Sequence, residues 1–272
     1  MRIWYQSLIG SGSAPGYFDG LSAHARRVAR PGVEVHFHGL PADAYGKHEP
    51  ADVVVYPYIA SLHMQFILDN ALRAEAEGYE AFAVGSVQDP GLEEARSLVG
   101  IPVVGYGESA MHFACLLGSR FAVIAFQKGF DEMLDLRIRR LGLAERAVPT
   151  VLIDVNYGDV SKGLLEPAQL VAQFTEAARR AITQGAQALI PGQLYLSEAM
   201  SRAGVTRIDD VPVVDGLTAT LKMAEAMADL HRLGIRVTRR GYLHARPAPD
   251  MIEHVRRVHG RPPVPVSPGK KS

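Results

Sequence analysis

Two polar residues, each directly after a glycine that ends an apolar run, are the strongest candidates for chemistry in this sequence. Ser86 follows Gly85, and Gln193 follows Gly192. Serine and glutamine side chains hydrogen-bond carbonyl, amide and carboxylate groups, and a neighbouring glycine lets a ligand approach the backbone closely. These positions are therefore candidates to hydrogen-bond a small molecule.

Acid–base or nucleophilic chemistry at such positions needs further groups. A serine nucleophile requires a base within hydrogen-bond reach, and the candidates near Ser86 are His63, Glu108 and Asp89. The sequence around Ser86 is not a Gly-x-Ser-x-Gly elbow. Glu108 also begins a predicted helix, where a carboxylate is stabilised without any catalytic role, whereas Tyr195 is a candidate proton donor. The predicted catalytic set is Ser86, Gln193, Tyr195, Glu108 and His63.

Other side chains at predicted strand ends are candidates for substrate binding. Residues 5–7 end the first strand, Tyr56 and Tyr58 flank Pro57 at another strand end, and two polar residues follow Ser86 in a turn. The predicted substrate-binding set is Tyr5, Gln6, Ser7, Tyr56, Tyr58, Gln88 and Asp89.

The predicted chemistry involves no metal site. His36 and His38 share one face of a predicted strand, but no carboxylate partner is evident. The single cysteine, Cys115, excludes an intrachain disulfide and a cysteine-based zinc cluster. Cys115 falls in an apolar helical pattern, which predicts an inert core residue.

Composition restricts the class of protein. The chain has 272 residues, of which 47% are hydrophobic and 21% charged, and its formal net charge is zero. This is ordinary globular composition, and the balanced charge favours neither nucleic acid nor an anionic membrane as the main partner. No apolar run is long enough to span a bilayer, and no signal-peptide pattern begins the chain. We expect a cytoplasmic protein.

The candidate residues are positioned by an alternation of predicted strands and helices. Strands are predicted at residues 3–5, 33–38, 53–55, 80–87, 102–106, 120–126, 151–155, 188–190 and 212–214. Helices are predicted at residues 17–29, 61–77, 92–98, 111–117, 130–141, 167–184, 197–203 and 217–233. Such regular alternation predicts an α/β fold with parallel sheets and right-handed crossovers.

A repeat within the alternation predicts two similar lobes. Residues 101–105 (IPVVG) are matched by residues 211–215 (VPVVD), and a helical pattern follows each. We expect residues 1–100 with 211–243 to form the first lobe, residues 101–210 the second, and residues 244–272 a tail rich in proline and arginine. A short helix is predicted at 251–259, and the last ten residues are predicted to be disordered or to extend onto a neighbouring subunit.

Two half-motifs resemble a known family. Residues 88–96 (QDPGLEEAR) and 101–112 (IPVVGYGESAMH) look like the aspartate/glutamate/hydantoin racemase superfamily, closest to its hydantoin-racemase branch. The second half-motif comprises residues 188–193 and 211–216, so that the resemblance covers roughly residues 80–228. It implies two pseudo-symmetric Rossmann-like lobes, a cofactor-independent active site in the cleft between them, a small carboxylate or cyclic amide as substrate, and an assembly of identical subunits.

The same resemblance places the family's two catalytic cysteines at the positions of Ser86 and Gln193. A serine hydroxyl is far less acidic than a thiol and an amide is not a base, so the two-thiol mechanism is not expected. Three hypotheses follow: an enzyme that performs proton transfer, isomerisation or a related lyase step with other groups; a hydrolase of an amide or lactone with Ser86 as nucleophile; or a catalytically silent ligand-binding protein.

Overall fold

The computed structural model describes residues 1–11 and 16–265, without the side chains of residues 51 and 52, and confirms the predicted α/β alternation. The strands are β1 (Arg2–Gly10), β2 (Glu34–Leu40), β3 (Ala81–Gly85), β4 (Val103–Gly105), β5 (Phe121–Phe126), β6 (Val151–Ile153), β7 (Ala188–Pro191), β8 (Arg207–Ile208) and β9 (Val211–Pro212). The helices are α1 (Tyr17–Val28), α2 (Pro50–Val54), α3 (Pro57–Ala76), α4 (Leu92–Leu98), α5 (Tyr106–Leu117), α6 (Phe130–Arg140), α7 (Tyr157–Gly163), α8 (Ala168–Thr183), α9 (Leu194–Arg202), α10 (Gly216–Arg232) and α11 (Pro249–Val258).

The two lobes contain parallel sheets of matching strand order. The first sheet has the order β2-β1-β3-β4, and the second has the order β6-β5-β7. An isolated parallel bridge joins Leu189 of β7 to Val213, which gives the second sheet an equivalent of β4. In the first sheet, Phe82 of β3 lies opposite Val103 of β4. Val103 and Val213 are the third residues of the two repeat segments, so the sequence repeat is a repeat of strand register.

The central strands are apolar because helices cover both faces of each sheet. Every residue of β3 and of β5 is buried, as expected for parallel strands without a solvated face. One continuous core cluster includes residues of both sheets, among them Tyr5 and Phe121, and residues of helices such as Leu217 of α10. A second cluster, centred on Trp4, covers the opposite face of the first sheet. The shared cluster holds the lobes together and leaves their strand ends facing each other.

Several predicted elements differ from the structure. Residues 53–55 are not a strand, because Pro50 stands at the first position of a helix that ends at Val54, a position proline favours. Helices α5 and α9 begin five and three residues earlier than predicted, directly or almost directly after their strands. Gly105 and Gly192 are therefore followed by a helix and not by a loop.

The tail is described only in part. Its predicted helix is present as α11, whereas the predicted disorder of the last residues concerns positions 266–272, which lie outside the described part of the chain. The lobe boundaries remain predictions. Among the described residues, no helix combines the length and the apolarity needed to cross a membrane.

Candidate active site

A small cavity lies where the carboxyl ends of the strands from the two lobes face each other. Its volume is about 90 Å³, and it is lined from the first lobe by the ends of β1 and β3 and from the second by the ends of β5 and β7. The lining residues are Ser7, Leu8, Ile9, Tyr17, Tyr45, Pro50, Val54, Gly85, Ser86, Val87, Gln88, Phe126, Gln127, Phe130, Tyr157, Gly192, Gln193, Leu194 and Tyr195.

Ser86 and Gln193 occupy equivalent positions on opposite sides of this cavity. The Ser86 Oγ accepts a long hydrogen bond, 3.4 Å, from the backbone N–H of Gln88. The Gln193 amide is held more firmly, because its Oε1 accepts from the N–H of Phe126 at 3.3 Å and its Nε2 donates to the carbonyl of Phe126 at 2.7 Å. Gln193 therefore joins the ends of β5 and β7, while the Ser86 hydroxyl remains able to donate to a ligand.

Three tyrosines form an aromatic wall. The rings of Tyr17 and Tyr195 stack with centroids 4.4 Å apart, and Tyr157 contacts Tyr195 edge-on at 5.2 Å. The Tyr195 hydroxyl is buried and makes no hydrogen bond of normal geometry within the described residues, although the Tyr157 hydroxyl lies close to it. Burial raises the pKa of Tyr195 to about 12. Tyr195 is therefore a neutral hydrogen-bond donor at physiological pH, and its geometry leaves that donor for a ligand.

The lining of the cavity is uncharged, but the Glu49 carboxylate beside it acts on Tyr157 and Tyr195. None of its described lining side chains is acidic, basic or a histidine. Helix α9 begins at its edge with Leu194, and its N-terminus carries no side-chain cap. The unpaired N–H groups of a helix's first turn carry partial positive charge. This environment suits a neutral ligand with carbonyl oxygens.

Five of the predicted site residues converge on this cavity: Ser7, Ser86, Gln88, Gln193 and Tyr195. The prediction that residues 5–7 end the first strand is wrong, because β1 continues to Gly10, and the side chains of Tyr5 and Gln6 do not line the cavity. Tyr5 is buried in the core against Phe37. The Gln6 Oε1 accepts hydrogen bonds from Trp4 Nε1 and Asn70 Nδ2. Their side chains are therefore engaged within the first lobe.

Two predicted carboxylates have partners of their own. The Asp89 carboxylate accepts hydrogen bonds from the backbone N–H groups of Gly107 and Glu108, each at 2.8 Å, and it pairs with Arg137 at 3.0 Å. Burial raises the pKa of Asp89 to about 7. The Glu108 carboxylate forms a two-pronged ion pair with Arg96. Both carboxylates bind protein groups beside the cavity instead of lining it.

The remaining predicted residues lie outside the lining as well. His63 lies behind Tyr45, with ring centroids 5.2 Å apart, and burial lowers its pKa. Tyr56 and Tyr58 are 59% and 74% exposed, because they begin helix α3 at the surface instead of ending a strand.

Sequence reasoning missed the apolar half of the cavity. Tyr17, Tyr45, Phe130 and Tyr157 follow the ends of β1, β2, β5 and β6 by four to seven residues, in loops and in the first turns of helices. The only available signal was that Tyr17 and Phe130 each follow a glycine that precedes a helical pattern. Their convergence depends on how the helices cross the sheets.

The histidines considered for a metal have other partners. His36 Nδ1 lies 2.6 Å from the hydroxyl of Tyr79, and the His38 ring stacks on Trp4 at 3.5 Å. Within residues 1–11 and 16–265, no group of three or more His, Cys, Asp or Glu side chains is arranged to hold a metal ion.

Comparisons with known proteins agree with this architecture. The Asp/Glu/hydantoin racemase family model matches residues 7–224. A hydantoin racemase from Pseudomonas sp. (strain NS671) is 28% identical over 185 residues, which cover 68% of this chain and 72% of that protein. An allantoin racemase from Klebsiella pneumoniae has a similar structure, with a TM-score of 0.73, 24% identity and coverage of 91% of this chain and 94% of that one. A glutamate racemase from Bacillus anthracis gives a TM-score of 0.57 at 14% identity, covering 98% of each chain.

Proposed function

Because the chain belongs to the Asp/Glu/hydantoin racemase family, we propose that this enzyme isomerises an uncharged cyclic amide. The reaction would move a proton on a carbon next to a carbonyl group, in the cavity between the lobes. The observation that carries the substrate class is the neutral lining, in which hydroxyls and amides accompany aromatic rings.

The lining favours a cyclic amide over a carboxylate substrate. A buried carboxylate is costly unless a cation or several donors compensate its charge. None of the described lining side chains is cationic. A cyclic amide needs only donors for its carbonyl oxygens and acceptors for its N–H groups, and both are present in Ser86, Gln88 and Tyr195. The relatives named hydantoin racemase and allantoin racemase are consistent with this class.

Stabilisation of the enolate would supply most of the catalysis. Removal of the proton places negative charge on the neighbouring carbonyl oxygen, and donors fixed at that oxygen lower the barrier. The N-terminus of α9 and the Tyr195 hydroxyl would provide these donors. Since no described lining side chain is a base near neutral pH, hydroxide or water would accept the proton through the Ser86 hydroxyl. The enolate would then take a proton from water on its opposite face, which inverts the carbon. We therefore expect the rate to rise with pH between pH 6 and pH 9.

This mechanism uses no thiol pair. The single cysteine, Cys115, lies on α5 and is not among the lining residues, and burial raises its pKa, which disfavours the thiolate. We infer that Ser86 and Gln193 occupy the places of the two thiols that the resemblance implies. Gln193 would shape the cavity, and Ser86 would relay the proton.

The test follows enantiopure 5-substituted hydantoins and allantoin in D2O. Optical rotation and the NMR signal of the proton on the stereogenic carbon should decay together, whereas L-aspartate and L-glutamate should show neither change. Ser86→Ala should slow the exchange by about 10²-fold, and Ser119→Ala, at an exposed serine remote from the cavity, should leave it unchanged.

Other outcomes would replace the proposal. Ring opening without exchange, lost with Ser86→Ala, would identify a hydrolase. Saturable binding of the cyclic amides without any exchange would identify a ligand-binding protein. Exchange of aspartate or glutamate instead of the cyclic amides would contradict the proposed substrate class.

A further inference from the structure

A second cavity lies beside helices α1, α9 and α10, next to the end of β7 at Pro191. Its volume is about 420 Å³, larger than that of the cavity between the lobes. Apolar side chains such as Phe113, Met200 and Val214 form much of its lining. Its polar lining residues include Ser201 and His24, and His24 is only 2% exposed. A buried histidine beside an open cavity is a candidate acid or base, because its imidazole can exchange a proton with a ligand.

His24 links a serine to a carboxylate. The Ser201 Oγ lies 3.2 Å from His24 Nε2, and His24 Nδ1 lies 2.7 Å from Glu198 Oε2. The serine and the histidine line the cavity, whereas Glu198 is buried behind them, 1% exposed. A nucleophile within reach of a base that a third group orients is the geometric signature of an activated serine.

The charges around His24 support this order of hydrogen bonds. Burial favours the neutral acid of Glu198, but hydrogen bonds from His24 and Arg202 outweigh it and lower the pKa of Glu198. A proton on Nδ1 of His24 faces the Glu198 carboxylate, and in that tautomer the Nε2 lone pair faces the Ser201 hydroxyl. Thr218 Oγ1 also lies 3.3 Å from Nε2.

Two charged groups face the atoms that would react. Asp215 Oδ2 lies 3.6 Å from His24 Nε2, so it would stabilise an imidazolium formed there. Arg27 Nη2 donates to Ser201 Oγ at 3.3 Å. A guanidinium at this position can stabilise negative charge on an oxygen attached to the carbon that Ser201 attacks.

We propose that Ser201, His24 and Glu198 form a second, hydrolytic site for small esters with apolar acyl groups. The Ser201 Oγ attacks the ester carbonyl while its proton passes to His24 Nε2. The ester C–O bond then breaks, and the departing alkoxide takes that proton to leave as the alcohol. Water, deprotonated by His24, attacks the acyl-serine and releases the carboxylic acid, which restores the serine hydroxyl.

The apolar lining accounts for the acyl specificity. Phe113, Met200 and Val214 would receive a short hydrocarbon chain, with the carbonyl carbon at Ser201. None of the three hydrogen-bonded residues lines the cavity between the lobes. Loss of ester hydrolysis and loss of the proposed isomerase activity can therefore be observed separately.

The test uses p-nitrophenyl butyrate with the full-length protein. We expect a burst of p-nitrophenolate and an acyl adduct that mass spectrometry of peptides locates on Ser201. Ser201→Ala should abolish both, and Glu198→Gln should slow acylation by about 10²-fold or more. Ser97→Ala, a helical serine that donates to the carbonyl of Glu94, is the matched control and should retain the full burst.

Folding is checked separately, because His24 and Glu198 are buried. Ser201→Ala should keep the far-ultraviolet circular dichroism and the cyclic-amide exchange of the parent protein. Absence of a burst in the folded parent protein would overturn the proposal. An adduct on Ser86, or a burst that survives Ser201→Ala, would overturn it as well.

Discussion

The polar side chains around the cavity between the lobes differ in how fully the protein itself satisfies their hydrogen-bonding groups. Both ends of the Gln193 amide are hydrogen-bonded to the backbone of Phe126, so Gln193 sets the shape of the cavity. Ser86 accepts a single long hydrogen bond, and the Tyr195 hydroxyl makes no hydrogen bond of normal geometry within the described chain, although the Tyr157 hydroxyl lies close to it. An unpaired buried hydroxyl reduces stability. A hydroxyl at a cavity wall that serves to bind a ligand is expected to cause this loss of stability when no ligand is bound.

Tyr195→Phe separates this functional role from a structural one. Removing an unpaired buried hydroxyl should leave the free energy of unfolding unchanged or raise it by up to about 1 kcal/mol. Exchange of a cyclic amide should slow by about tenfold or more, since a donor to the enolate is lost. Urea unfolding and the NMR exchange assay measure the two effects.

Tyr79→Phe is the comparison variant for Tyr195→Phe, because the Tyr79 hydroxyl is paired with His36. It should destabilise the protein without slowing exchange. Equal loss of stability in both variants would contradict the interpretation of Tyr195.

At the scale of elements, helices α5 and α10 meet at their first turns and join the lobes. The hydroxyl of Tyr106, the first residue of α5, donates to the carbonyl of Pro191 in β7 at 2.7 Å. Gly216, the first residue of α10, lies so close to that ring that an added Cβ would be 1.9 Å from the Tyr106 Cζ. The close approach of α10 to the Tyr106 ring therefore requires a residue without a side chain at position 216.

Gly216→Ala should therefore destabilise the protein by about 1–3 kcal/mol, because neither the buried ring nor the helix can move without strain. Denaturant unfolding measures this loss. The matched control is Gly158→Ala in the first turn of α7, where an added Cβ would meet only the Asn156 side chain at 3.1 Å. Its effect should stay within about 0.5 kcal/mol. Similar losses in both variants would contradict the role of close packing.

At the scale of the whole molecule, a buried ion pair bridges the lobes beside the cavity. Asp89 lies in the turn after β3, and Arg137 comes from α6 after β5. Asp89 also binds the N-terminus of α5 and has a positive φ of 49°, which aspartate and asparagine tolerate better than most residues. Arg137 pairs with Glu93 as well. This junction fixes the strand end that carries Ser86 against the second lobe.

The junction should make stability depend on pH. Burial raises the pKa of Asp89 to about 7, above the value of about 4 in an unfolded chain. The folded protein therefore binds this proton more tightly than the unfolded chain does. The contribution of Asp89 to the free energy of unfolding should fall as pH rises from about 4 to about 7, and stay constant above that.

Asp89→Asn checks this sign, since asparagine does not titrate and accepts the same backbone conformation. Relative to this variant, the parent protein should be more stable at pH 5 than at pH 8, as measured by guanidinium unfolding. A larger advantage of the parent at pH 8 would contradict the raised pKa.

The sequence by itself determined the family, the alternation of strands and helices and the positions of Ser86 and Gln193. These properties are local: buried parallel strands need continuous apolar runs, helices need a periodic apolar face, and the segments 101–105 and 211–215 repeat one strand. Such patterns can be recognised from residues that lie close together in the sequence. The predicted cleft, with Ser7, Ser86, Gln88, Gln193 and Tyr195 around it, depended on these strand ends.

Only the tertiary structure decided how each polar side chain is used. Asp89, Glu108 and Gln6 lie near the strand ends in sequence, but their partners come from other elements: Arg137, Arg96 and Asn70. The aromatic wall and the Ser201–His24–Glu198 array likewise join distant segments. Whether a side chain faces a ligand depends on the partners that packing brings within hydrogen-bond distance, and those partners lie tens to hundreds of residues away.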